Sequence, residues 1–257
     1  MNIKRNQQIL LVFLFIIAFL LVYKKSNPNK SIENVYYEAT KSIVELKASS
    51  EKVGESYGTA VVIGSKGYMV TNMHVLSFKR NSKRELFDKI YIRFADEELY
   101  KKVKIINFDE QMDIAILKLE DSKINVKGIS IGNSKKIEYG ETVYAVGNAL
   151  NFGISISQGI ISAPQLEVKY DGIVRTVVQA DINISAGNSG GALIDQSGHL
   201  IGITSFRIKE EQDNEIKDPS VGMKSKLYFA CVVGRRIELL LLDEPLTTFD
   251  DKSQKKQ

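Results

Sequence analysis

The hydrophobic pattern along the chain changes character near residue 31. Residues 9–23, "ILLVFLFIIAFLLVY", are apolar without a break, whereas later apolar positions come in short runs interleaved with polar ones. A period of two marks strands that bury one face, because successive side chains point to opposite sides of a sheet. "SIVELKA", "GTAVVIG", "KIYIRF", "LYKKVKII" and "DIAILKL" form a first set of such runs, bounded by glycine or polar clusters. "ETVYAVG", "FGISIS", "GIISAP", "IVRTVVQA", "GALID", "HLIGITSF" and "KLYFACVV" form a second. About a dozen short strands with few helical stretches predict an all-β sandwich or barrel architecture. The set divides near residues 123–128 into comparable halves, as two packed barrels would.

The expected layout is a first barrel over 35–125 and a second over 126–233. A polar linker over 24–34, containing "SNPNKS", precedes them, and 234–257 holds a short helix around "RRIELLLLDE" and a frayed tail. Residues 207–226 are charged and turn-rich, and are expected to form a long surface loop between two strands.

The first apolar run would rise about 22 Å as a helix. That falls short of a roughly 30 Å hydrocarbon core, but flanking lysines can reach the interface. Lys4 and Arg5 before it and Lys24 and Lys25 after it fit either a cleaved signal peptide or an uncleaved signal anchor. A cleavage site wants small residues after the run, and "YKKSNPNKS" begins with tyrosine and charge. The expectation is therefore an uncleaved anchor over 9–23, with basic residues 1–8 before it, tethering a single-pass protein to the cell membrane.

Composition narrows the partners. With 257 residues, 44% hydrophobic and 26% charged, the chain can bury a core without help. The net charge of +4 is the balance of 35 basic and 31 acidic residues scattered along the sequence, so a nucleic-acid partner is not expected. Cys231 is the single cysteine and makes no internal disulfide. Within "YFACVV" it reads as a buried thiol rather than a hydrolase nucleophile.

Candidate chemistry begins at "DINISAGNSGGALID", residues 181–195, where Ser189 sits between an asparagine and two glycines before an apolar strand. A tight turn alone would explain Gly187, Gly190 and Gly191. Serine becomes a nucleophile only beside a base, usually a histidine oriented by a carboxylate. The chain has two histidines. His199, in "DQSGHLIG", reads as a solvent-facing hairpin residue, whereas His74, in "YMVTNMHVLS", follows a strand with polar neighbours that could hold one rotamer. Asp113 opens "DIAILKL", and a carboxylate entering an apolar strand needs a partner to offset its desolvation.

Taken in order, "GTAVVI", "TNMHV", "DEQMDIAILKL", "QGIISA", "QADINISAGNSGGALID" and "GHLIGI" closely resemble the HtrA (Do-like) branch of the chymotrypsin-fold serine proteases, over Ile43 to Val233. The resemblance implies two six-stranded antiparallel β-barrels. It assigns Ser189 as nucleophile, His74 as general base and Asp113 as the group orienting the imidazole. The backbone N–H groups of Gly187 and Ser189 would form the oxyanion hole. Ile184, Ile203, Thr204 and Ser205 would line the substrate pocket, with Ile203 to Ser205 pairing an extended substrate backbone. No acid stands at Asn183 or Ile184, so a small or medium apolar residue is expected before the cut bond. Protein or peptide substrates outside the cytoplasm follow, with no cofactor and no metal. A homotrimer is also implied, with Tyr36 and Tyr37 as candidate aromatics. The sequence departs from the family in Ser185 and Ala186, where Asn and Pro are common, and 234–257 is expected to carry no PDZ domain.

Overall fold

A computed structural model describes residues 12–13, 15–17, 31–81, 83–121, 126–170, 173–207 and 228–232. Most of the expected anchor over 9–23, all but Arg207 of the charged loop at 207–226, and the C-terminal helix lie outside these residues. The pieces of the apolar run that are described are helical, and no described helix is long and apolar enough to cross a membrane.

The order of elements is α1 (Ile32–Thr40), then β1 (Ile43–Ser50), β2 (Gly54–Ile63) and β3 (Tyr68–Thr71). After a 3₁₀ turn at Met73–Leu76 come β4 (Ser77–Arg80), β5 (Lys83–Leu86), β6 (Lys89–Phe94), β7 (Lys101–Asp109) and β8 (Ile114–Leu119). The second half holds β9 (Thr142–Gly147), β10 (Ser155–Tyr170), β11 (Ile173–Asp181), β12 (Ala192–Asp195), β13 (Leu200–Arg207) and β14 (Tyr228–Val232). Strands β1, β2, β3, β8, β7 and β6 close one antiparallel barrel, and β10, β11, β14, β13, β12 and β9 close another. Strands β4 and β5 stand apart as a two-stranded ribbon.

Three cores hold this together. Val44, Leu46, Val62, Met69, Ile92 and Leu117 fill the first barrel. Val143, Ile161, Val178 and Leu193 fill the second. The opposite faces of the same strands meet between the barrels, where Ile43, Val61, Ile63 and Ile116 of the first half join Val146, Ile194, Leu200 and Ile203 of the second. Strands buried on both faces read as near-continuous apolar runs, which is why "AVVI" and "IAIL" barely alternate.

Helix α1 occupies sequence expected to be linker and barrel edge. Ser31 caps it by accepting from the Asn34 N–H at 3.3 Å. Val35 and Ala39 pack into the inter-barrel core, and the Tyr36 hydroxyl donates to the Ile154 carbonyl at 2.9 Å.

Candidate active site

The rim between the barrels brings three sequence-distant segments together. His74 rides on the 3₁₀ turn after β3, and Asp113 immediately precedes β8, the strand paired with β3. Asp113 has a φ of 55°, a region aspartate enters more readily than most side chains. The Met73 N–H donates to its carbonyl at 3.2 Å and the Asn72 side-chain amide does so at 2.9 Å, which fixes this bend. Its carboxylate faces the histidine. Oδ1 accepts from the His74 backbone N–H at 2.9 Å, and Oδ2 lies 2.6 Å from His74 Nδ1. That contact assigns the proton to Nδ1 and leaves Nε2 as an acceptor.

Burial pushes the Asp113 carboxyl up, but the His74 ring hydrogen bond, the attraction of the imidazolium, the His74 N–H and the Ser205 hydroxyl together outweigh it. The group is held below the usual aspartate range.

Ser205 links this pair to Ser189. The pairing of β13 with β14 slips between Thr204 and Phe206, which leaves Ser205 outside the ladder. Such a bulge re-aims both side chain and carbonyl. The Ser205 hydroxyl donates to Asp113 Oδ2 at 3.0 Å, and its carbonyl accepts from the Ser189 hydroxyl at 3.0 Å. A carbonyl can only accept, so the Ser189 proton points at Ser205 in this arrangement.

Ser189 stands in the second of two consecutive turns. The Asn188 N–H donates to the Ser185 carbonyl at 3.1 Å with Gly187 third in the turn at φ 93°, and the Gly191 N–H donates to Asn188 at 2.9 Å with Gly190 third at φ 84°. A positive φ at that position defines a type II turn and favours glycine. A Cβ would collide with the Asn148 carbonyl at Gly187 and with the Thr59 carbonyl at Gly190. The turns use the N–H groups of Asn188 and Gly191. Among the described residues, those of Gly187 and Ser189 donate to nothing. Two adjacent unengaged N–H donors beside a hydroxyl are suited to hold an oxygen that gains negative charge.

A family model for the trypsin-like peptidase domain matches residues 58–203. The chain belongs to the trypsin-like peptidase family. It is 36% identical over 176 residues to the serine protease Do-like HtrA of Lactobacillus helveticus, covering 65% of this chain and 40% of that protein. It is 30% identical over 204 residues to the serine endoprotease DegS of Haemophilus influenzae, covering 79% of this chain and 56% of that one. The chain thus spans about half the length of these relatives. A solved HtrA-type protease, AlgW with a tripeptide, superposes with a TM-score of 0.65 at 26% identity, covering 85% of this chain and 64% of that one. These matches set the chain among the HtrA-type members of the trypsin-like peptidases, and its two barrels are the chymotrypsin-like architecture expected of them.

Other residues singled out from sequence lie around this site in different ways. Ile184 is buried with the core of the second barrel, and Ile203 is buried between the barrels. The Thr204 hydroxyl donates to the Asn188 carbonyl at 2.5 Å, so Thr204 braces the serine turns, while Ser205 reaches Asp113. His199 pairs with Asp195 across a hairpin turn at 3.2 Å, away from the other histidine. Among the described residues there is no cluster of side chains suited to a metal ion.

Sequence reading missed Thr59. It lies on β2 of the first barrel, fully buried, and grips both turns of the second. Its N–H donates to the Ser189 carbonyl at 2.9 Å, its hydroxyl donates to the Gly187 carbonyl at 2.7 Å, and that hydroxyl accepts from the Asn148 N–H at 2.9 Å. A hydroxyl inside the apolar run "GTAVVI" was the available signal, because a buried polar group implies partners.

Proposed function

We propose that this chain is a serine endopeptidase that hydrolyses peptide bonds of unfolded or partner proteins outside the cytoplasm. The observation that carries this reading is the continuous hydrogen-bonded path from Ser189 through Ser205 and Asp113 to His74, flanked by the unengaged N–H groups of Gly187 and Ser189. Catalysis begins when the Ser189 hydroxyl leaves the Ser205 carbonyl and donates to His74 Nε2. Ser189 Oγ then attacks the scissile carbonyl while Nε2 takes its proton. Asp113 stabilises the resulting imidazolium, and Nε2 returns the proton to the leaving amine. The two N–H groups receive the oxyanion, each contributing about 3 kcal/mol to the transition state. Water hydrolyses the acyl-enzyme by the same steps in reverse.

The same proposal includes selection of a small or medium apolar residue by Ile184 and the backbone of Ile203 to Ser205, and tethering to the cell membrane through residues 9–23. It also includes a homotrimer using Tyr36 and Tyr37, whose rings are tilted by 58° with centroids 5.7 Å apart, with Tyr37 exposed.

A fluorophosphonate probe tests the nucleophile. Wild-type protein is expected to label at Ser189, and Ser189→Ala and His74→Ala are not. A second reading, a peptide-binding or chaperone module with partner-dependent turnover, is favoured by the resting bond from Ser189 to Ser205. Peptide binding by a folded wild-type protein that never labels would select that reading.

A further inference from the structure

The ribbon formed by β4 and β5 has no place in the mechanism above. Among the described residues it pairs with no other strand, and an isolated two-stranded hairpin is marginal in water. Its base is secured by the Phe87 N–H, which donates to the Leu76 carbonyl at 3.0 Å, and by the Phe78 and Phe87 rings, 5.2 Å apart between centroids. Its outer part reads "KRNSKR", residues 79–84. The register sets Lys79 opposite Arg84 and Arg80 opposite Lys83. Like charges directly opposite one another destabilise a strand pair.

Glu85 turns to Lys52 at 3.5 Å, and no described carboxylate pairs with Arg80, Lys83 or Arg84. Lys79 has an interaction of its own. Arg80 and Lys83 are exposed and Arg84 is half-buried. Folding therefore sets two unpaired cations, Arg80 and Lys83, side by side on one face of the ribbon, with Arg84 on the other, an arrangement that an external anion would relieve.

The ribbon's position identifies the anion. β4 follows the 3₁₀ turn bearing His74 without an intervening residue, and the ribbon is rooted at Leu76, two positions beyond that histidine. Five extended residues reach about 15 Å, so the tip lies within four or five extended residues of its root. We propose that the β4–β5 ribbon is an exosite that binds an acidic segment of the polypeptide substrate, a few residues from the bond to be cut. Arginine suits this role because its planar fork matches a carboxylate. The inference rests on the endopeptidase reading, and it adds a substrate class: chains with Asp- or Glu-rich stretches near the cleavage point.

The test compares two fluorogenic peptides with the same cleaved sequence, one extended by a hexaglutamate tract about five residues away and one by a neutral tract. Wild type is expected to favour the acidic peptide about tenfold in kcat/KM through a lower KM at about 50 mM salt, with most of that advantage lost at about 0.5 M. The triple variant Arg80→Ala, Lys83→Ala, Arg84→Ala is expected to lose the preference while cleaving the neutral peptide at the wild-type rate. Equal use of both peptides by wild type, or a preference kept by the triple variant, overturns the exosite and leaves the endopeptidase reading intact.

If neither peptide is cut, the endopeptidase reading fails, and fluorescein-labelled hexaglutamate still tests the ribbon in the Ser189→Ala protein. Saturable binding that the triple variant abolishes supports an acidic-peptide site, and no binding overturns it. Binding to phosphatidylglycerol vesicles that the triple variant loses, without binding to hexaglutamate, also overturns it, and assigns the ribbon to a lipid surface.

Discussion

Thr59 separates geometry from chemistry at the site, because its hydroxyl orders the serine turns and touches no group that would react. Thr59→Val keeps the shape but leaves the Gly187 carbonyl and Asn148 N–H without this partner, at about 2 kcal/mol. We expect a lower melting temperature and slower fluorophosphonate labelling of Ser189, with Thr59→Ser restoring both. Unchanged labelling in the valine variant would show that the turns hold their shape unaided. Asp113 gives a second prediction, with a definite sign. Its carboxyl is held below the aspartate range in the folded state, so the stabilisation it supplies is complete above about pH 4 and fades as pH falls through the folded value. Asp113→Asn should therefore be less stable than wild type at neutral pH, with the gap closing below about pH 4 in urea titrations. A gap that is constant or widens toward pH 2 contradicts this account. His74, Asp113 and Ser189 were legible because each sits in a distinctive local string. Thr59 and the bulge at Ser205 were not, since their importance lies in contacts between segments far apart in sequence.

Among the elements, the strands that bury a face announced themselves, and those that do not stayed silent. The second half of β2, β8 and β12 are mostly apolar because both their faces are covered, whereas β4 and β5 carry "SFKR" and "KREL", in which nothing alternates toward a core. The sequence runs "FGISIS" and "GIISAP" read as two strands but belong largely to one, β10, because Gly159 interrupts the pattern without interrupting the pairing. Helix α1 escaped notice because nine residues with two buried positions make a weak helical period. Its packing is nonetheless testable. Val35 is 1% exposed in the inter-barrel core and Ile32 is 43% exposed. Val35→Ala should lower stability by about 2 kcal/mol, read from the urea midpoint, while Ile32→Ala leaves it within about 0.5 kcal/mol. Equal effects at the two positions would mean that the helix does not dock by this face.

For the whole molecule, the largest consequence of two barrels is the apolar core between them, since the site lies across that same boundary. Ile194 on β12 is fully buried there, among residues from both halves, and Thr59 bridges the halves at the rim. Neither barrel can unfold without exposing the inter-barrel face of the other, so their stabilities are coupled. We expect one thermal transition in calorimetry, with equal calorimetric and van 't Hoff enthalpies, and loss of fluorophosphonate labelling at the same temperature. Ile194→Ala removes contacts to both halves and should destabilise by about 3 kcal/mol, moving the single transition down without splitting it. Two resolved transitions in wild type, or a variant in which only one half melts early, would mean that each barrel stands on its interior core alone. The site would then be held by the hydrogen bonds of Thr59 rather than by the packing beneath them.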